Sequence, residues 1–129
     1  MKGLPHAYRS AALAIALLAA CWSAPGMTHP APPPGSCEVS HGEKLPRASG
    51  GGTALCAAIA QAASARGLAG TFAVRVSVGP KSQLSAEITL ADGRSLPPLR
   101  MAEMDRPIGP SSFARFASAI ADHIAGAHH

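Results

Sequence analysis

The chain has 129 residues and a formal net charge of +4, and only 14% of its residues are charged and 4% aromatic. This composition excludes a multidomain enzyme, a coiled coil and a highly charged disordered tail. Gly and Pro are frequent, with 13 and 12 copies, which favours one small domain with non-globular ends. No catalytic constellation is present in the sequence, so we predict a non-enzyme without a cofactor.

Residues 1–20 have the composition of a secretory signal peptide. Lys2 and Arg9 precede the wholly apolar run 11–20, AALAIALLAA. This run is too short for a membrane span, which needs about 20 apolar residues. A buried core helix is the alternative interpretation, but Pro25 and the prolines after it oppose helix continuation. The signal predicts export to the cell envelope.

The apolar run ends in Leu18-Ala19-Ala20-Cys21, which resembles the lipobox of bacterial lipoproteins. The resemblance implies cleavage before Cys21 and a lipid on its sulfur, and thus an anchor on the periplasmic side of a membrane. Trp22 stands where the lipoproteins retained in the inner membrane of enteric-type bacteria have Asp. The resemblance therefore implies the outer membrane if the host is Gram-negative.

The remaining chain divides into three predicted parts. Residues 21–36 form a lipid-anchored tether, because proline-rich segments adopt an extended polyproline II conformation. Residues 37–126 form a single domain, and residues 127–129 a tail. Without the signal peptide, nine basic residues face seven acidic ones. This small excess gives no argument for nucleic-acid binding, which needs a clustered basic face with stacking aromatics.

Cysteine usage supports export. Three cysteines are an odd number for an exported chain. Lipidation of Cys21 leaves Cys37 and Cys56, which we predict to form a disulfide in an oxidising compartment. Two free buried thiols are the alternative. The bond would close a loop of about 20 residues and contribute about 3 kcal/mol in the chain-entropy model.

A first helix is predicted over residues 54–66, after a short strand at 37–39. Thr53 is its expected N-cap and Gly67 its C-cap. Its apolar residues recur at helical spacing, namely Leu55, Ala58, Ile59 and Ala62. The glycines before it resemble a phosphate-binding loop only in composition, because the Lys of G-x-x-x-x-G-K-[ST] is missing.

A β-hairpin is the best-specified element. Residues 71–78 and 84–90 alternate with period two, which places the large apolar side chains on one face and Ala73 with the polar ones on the other. Gly79-Pro80-Lys81-Ser82 forms the turn between them. A register with Val78 opposite Leu84 keeps both faces chemically consistent. On the polar face it pairs Ser77 with Ser85 and Arg75 with Glu87. We interpret the latter as an exposed ion pair rather than a catalytic one.

The C-terminal part adds an edge strand and a helix. Asp92-Gly93 predicts a second turn, and residues 99–104 a third strand, placed at an edge because Pro97 and Pro98 precede it. The final helix is predicted over 112–125 with Ser111 or Ser112 as its cap. Its apolar stripe consists of Phe113, Phe116, Ala117, Ile120 and Ile124. The predicted architecture is a small two-layer α+β domain, ordered helix, antiparallel two- or three-stranded sheet, helix.

The segment 74–84, VRVSVGPKSQL, resembles the first hairpin of TonB/TolA-type periplasmic C-terminal domains. Those small α+β modules dock onto envelope proteins. Their usual Ser-Ser-Gly after the second strand is replaced by Ala91-Asp92-Gly93-Arg94. The resemblance covers the hairpin alone and implies a structural analogy.

Few residues carry recognisable site chemistry. Met101 and Met104 offer thioether ligands for Cu(I), with His123 to complete a site. The alternative is that only one methionine belongs to the core. His41 and His123 are the best candidates for an enzyme with a His–carboxylate pocket. No His occurs in H-E-x-x-H or C-x-x-C spacing, and we predict no metal site.

These features predict an exported lipoprotein whose domain is a non-catalytic interaction or accessory module of the cell envelope. Its expected partners are the membrane, through the lipid, and another envelope protein. An open sheet edge or an apolar patch near residues 99–104 would favour this function. The alternative is a periplasmic protein that binds Cu, Zn or a small ligand.

Overall fold

Residues 32–128, the part of the chain that the computed structural model describes, form four strands and two α-helices. In chain order the elements are β1 (Cys37–Ser40), α1 (Gly51–Ala65), β2 (Phe72–Gly79), β3 (Gln83–Leu90), β4 (Leu99–Ala102) and α2 (Pro110–Ala127). The predicted signal peptide, Cys21 and most of the predicted tether lie outside the described residues. The α+β class predicted from the sequence is confirmed.

The four strands form one mixed sheet in the order β1-β2-β3-β4. β1 runs parallel to β2, whereas the other neighbours are antiparallel. The sequence predicted a sheet of two or three antiparallel strands, without the parallel pairing of β1 and β2. Parallel strands need a crossover connection, here through α1, so their pairing leaves no local pattern in the sequence. The predicted third strand is present as an edge strand, two residues shorter than expected.

The central hairpin has the predicted register, with Val78 opposite Leu84 and Phe72 opposite Leu90. Its large apolar residues line one face of the sheet and are buried, whereas the other face carries the mostly exposed polar residues and the buried Ala73. Arg75 lies opposite Glu87 as predicted, but its Nε donates to Glu38 Oε2 at 3.0 Å instead. The predicted Arg75–Glu87 ion pair is therefore wrong. The parallel pairing of β1 with β2, which the sequence did not predict, places Glu38 beside Arg75, where it competes for the same guanidinium.

Both helices cover the apolar face of the sheet. α1 buries Leu55, Ile59 and Ala63, and α2 buries the whole predicted stripe. All three phenylalanines are in the core, with Phe113 and Phe116 at most 2% exposed. The helices also contact each other, so the domain has two layers with one apolar core between them. Within residues 32–128, neither α-helix covers the opposite face of the sheet.

The helix ends differ from the predicted ones. α1 begins at Gly51 rather than after Thr53, and a Cβ at Gly52 would lie 3.2 Å from the Cβ of Val39. Glycine at this position lets the first turn of the helix approach β1 closely. α2 begins at Pro110, and the Ser112 hydroxyl accepts a hydrogen bond from the Gly109 N–H at 3.1 Å. Ser112 thus caps the helix from inside its first turn. α2 ends at Ala127, later than predicted.

Cys37 and Cys56 form the predicted disulfide, with their Cα atoms 5.9 Å apart. The bond joins the first residue of β1 to the second turn of α1. It therefore fastens the short parallel strand to the helix that covers it. The preceding residues also contact the sheet, because the Gly35 N–H donates to the Phe72 carbonyl at 2.6 Å.

Candidate interaction surface

β4 is an edge strand with exposed backbone groups. It pairs with β3 on one side, and no strand of the described chain lies on its other side. The Glu103 N–H donates to the Ser82 carbonyl at 3.1 Å. Since hydrogen bonding alternates along an antiparallel strand, the N–H and C=O groups of Arg100 and Ala102 point away from β3. Both residues are exposed, so these four backbone groups are available to another chain.

An open groove of about 540 Å³ runs along the outer face of the sheet beside this edge. Its polar lining comes from Gln83 and from Ser77, Ser85 and Arg100, the last three in one row across β2, β3 and β4. Met101 and Leu84 add apolar surface from the core side. The groove therefore offers two hydroxyl groups, an amide and a guanidinium next to unpaired backbone groups.

Directly after β4, a buried carboxylate holds two arginines. The Glu103 side chain is 6% exposed and accepts hydrogen bonds from Arg106 Nε, at 3.2 Å, and from the Arg115 guanidinium. Burial raises the pKa of Glu103, but hydrogen bonds from Arg106 and Ser112 and the charge of Arg115 outweigh that effect. The resulting pKa lies below its usual value, so Glu103 is a carboxylate at neutral pH.

A second groove, of about 370 Å³, opens at the tip of the β2–β3 hairpin. Lys81 and Ser82 from the hairpin turn form one side, and Glu103, Met104 and Arg106 form the other. Lys81 and Ser82 both have a φ of 58°, in the left-handed region. Non-glycine residues occupy this region at a cost, and such strain persists only where neighbouring contacts hold it. Here the Glu103 N–H provides such a contact.

The structure places the predicted metal ligands in different surroundings. Met101 is partly buried and packs against the core, whereas Met104 is 85% exposed in the loop after β4. His123 lies on α2, where its Nε2 is 3.0 Å from the Pro97 carbonyl oxygen. Among the described residues, no three His, Cys, Asp or Glu side chains are grouped as a metal site requires. These positions agree with the interpretation that one methionine belongs to the core.

The two histidines considered for catalysis lie on separate elements. His41 precedes the first 3₁₀ turn, and its Nδ1 is 3.7 Å from Glu43 Oε1. His123 belongs to α2 and contacts the loop before β4. Both side chains are accessible to solvent, since His41 is 61% exposed and His123 is partly exposed.

The sequence did not predict the contacts of Glu103 with Arg106 and Arg115. Glu103, Asp92 and Asp105 are near one another in the sequence, but only Glu103 is buried. The spacing from Glu103 to Arg106 is a weak local signal for an ion pair. The contact with Arg115 joins the end of the sheet to α2, and nothing in the order of the residues indicates it.

Comparison with known proteins adds no family. No protein-family model matches the chain, no curated protein matches it significantly, and neither does any solved structure. Within residues 32–128, no helix is both long and apolar enough to cross a membrane.

Proposed function

We propose that the chain is an exported bacterial lipoprotein, anchored to the cell envelope through Cys21, whose domain docks another envelope protein without catalysis. The observation that supports docking is the open edge of β4, where the backbone groups of Arg100 and Ala102 face away from the sheet. An extended segment of a partner can add to such an edge as a further strand. Every second side chain of the added partner strand would then lie over the groove that Arg100 lines.

The anchor is tested by intact mass spectrometry of the protein extracted from membranes, with and without reduction. The expected mass corresponds to residues 21–129 plus lipid, and reduction raises it by about two hydrogens for one disulfide. An unlipidated mass would contradict the anchor and would favour the alternative function, a periplasmic protein that binds a metal or a small ligand.

Docking is tested with a photo-crosslinking amino acid at position 100, in cells that express the full chain. We expect one envelope protein to be captured reproducibly, and no capture when the crosslinker stands at Asp122, on the helical layer. The variant Ala102→Pro removes an outward N–H and leaves the hydrogen bonds to β3 in place, so it should abolish the crosslink. Ala102→Val keeps the N–H and should retain it.

The stability of these variants provides a further control. Met101 pairs with Leu84 and uses its backbone groups toward β3, so Met101→Pro should destabilise the domain more than Ala102→Pro. If Ala102→Pro is folded and still crosslinks at wild-type levels, strand addition at β4 is wrong. Titration of the purified chain with Cu(I) and Zn(II) tests the alternative function, and saturable binding would favour it.

A further inference from the structure

Basic side chains and one exposed methionine surround the groove at the hairpin tip. We define the basic tip as Lys81, Met104, Arg106 and Arg115. The first three line the groove, and Arg115 is joined to it through Glu103. We propose that the basic tip binds an acidic, partly apolar segment of the partner protein. This inference rests on the proposed function and names the chemistry of its partner.

The charge distribution supports an acidic ligand. Glu103 neutralises one of the three positive charges at the basic tip, which leaves an excess of two. The other arginine–carboxylate pairs of the described chain are one to one, namely Arg66–Asp122, Arg75–Glu38 and Arg94–Asp92. Outside the tip and Glu103, residues 32–128 contain equal numbers of basic and acidic residues. The groove lining itself has Lys81 and Arg106 against Glu103, an excess of one positive charge, and Arg115 adds another through its contact with Glu103.

Glu103 fixes the guanidinium groups of Arg106 and Arg115 in positions where they can bind a ligand. Arg106 contacts Glu103 through Nε and Arg115 contacts it through a terminal nitrogen, so each keeps further N–H donors. Their side chains are 60% and 52% exposed. A buried carboxylate that fixes two arginines lowers the entropy lost when they bind a second carboxylate. Glu103 is thus a positioning residue, and the arginines would contact the ligand.

The apolar part of the groove favours a protein segment over a small anion. Met104 is 85% exposed and lies beside Pro107 in the groove wall. A flexible thioether next to cations suits a chain that alternates acidic and apolar side chains. A free phosphate would pair with the cationic side chains of the groove but would make no apolar contact with Met104.

The position of the tip in the sheet leaves room for such a chain. Residue Gly35 contacts Phe72, at the start of β2, whereas Lys81 follows the end of that strand. The length of β2 separates the two points by roughly 23 Å at about 3.3 Å per residue. A segment on the basic tip can therefore continue onto the edge of β4 without meeting residues 32–36.

The test is fluorescence anisotropy of a short labelled peptide rich in Glu and Leu, titrated with the full lipidated chain in neutral detergent. A matched peptide with Gln in place of Glu is the first control. We expect Arg106→Gln and Arg115→Gln each to weaken binding about tenfold, as loss of a charged hydrogen bond does. Arg94→Gln removes the same charge from another exposed ion pair, and its affinity should stay within about twofold of wild type.

Glu103→Gln separates positioning from simple attraction. It raises the net positive charge of the tip, so non-specific attraction predicts tighter binding, whereas a positioned arginine pair predicts weaker binding. Circular dichroism checks that this variant is folded, and the two arginine variants test the proposal even if it is not.

Two results would overturn the acidic-segment proposal. One is equal affinity for the Glu and Gln peptides. The other is displacement of the peptide by inorganic phosphate or by dihexanoyl-phosphatidylglycerol at concentrations as low as those of the unlabelled peptide, which would assign the tip to a phosphate or a lipid headgroup. In either case a crosslink at position 100 would still support docking at β4, so the two proposals fail separately.

Discussion

The Glu103 N–H donates to the Ser82 carbonyl oxygen across a distance of 3.1 Å. This bond joins the end of β4 to the left-handed turn of the central hairpin. The side chain of the same residue holds Arg106 and Arg115. Glu103 therefore organises both walls of the groove at the hairpin tip, one through its backbone and one through its carboxylate.

Acidification should destabilise the domain partly through Glu103. Its pKa in the folded protein is lowered, relative to about 4.3 in an unfolded chain. The stabilisation is therefore complete above the unfolded value and is lost as the pH falls through the folded value. Urea unfolding at neutral and acidic pH should show a smaller loss of stability for Glu103→Gln than for the wild type.

Asp105 supplies the matched control for this experiment. It is exposed and forms no ion pair within residues 32–128. Asp105→Asn therefore removes one negative charge from the same loop without removing an ion pair, which separates the contacts of Glu103 from a general effect of charge. Equal pH dependence in Glu103→Gln and the wild type would contradict the role given to the buried carboxylate.

Loss of the disulfide should lower the free energy of unfolding by about 3 kcal/mol, because the loop between Cys37 and Cys56 gains entropy in the unfolded chain. The measurement is urea unfolding with and without a reducing agent. The double variant Cys37→Ser/Cys56→Ser should be as unstable as the reduced protein and insensitive to the reductant. Two thiols that react in the unreduced, denatured protein would instead support the free-thiol alternative.

Relief of strain at Ser82 should stabilise the domain. Its φ of 58° suits glycine better than a residue with a Cβ, so Ser82→Gly is expected to gain up to about 1 kcal/mol. Ser77→Gly is the comparison, because Ser77 lies in the extended strand β2, where glycine destabilises. Chemical denaturation measures both, and a loss of stability in Ser82→Gly would show that the turn is not strained.

The core should respond to truncation much more than the exposed loop. Phe116 is 1% exposed, so Phe116→Ala should cost about 3–5 kcal/mol by loss of burial and creation of a cavity. Met104→Ala, at a side chain that is 85% exposed, should change stability by less than about 0.5 kcal/mol. Thermal and urea unfolding check both. A large effect of Met104→Ala would mean that this side chain is covered in solution.

Local patterns were sufficient for much of the fold. Alternation along residues 71–90 determined the central hairpin and its register, since one face of the sheet must be buried and a shift by one residue would reverse both faces. The 3.6-residue period of the last helix likewise identified its buried stripe. The two prolines before β4 indicated that the strand lies at an edge.

Contacts between distant segments required the tertiary structure. The pairing of β1 with β2 depends on a crossover, and it redirected Arg75 from Glu87 to Glu38. The burial of Glu103 and its contact with Arg115 depend on where α2 crosses the end of the sheet. The sequence by itself determined the elements and the faces that they bury, because these depend on neighbours along the chain. Only the tertiary structure decided which charges meet, because a charge pairs with whatever the folded chain brings within reach.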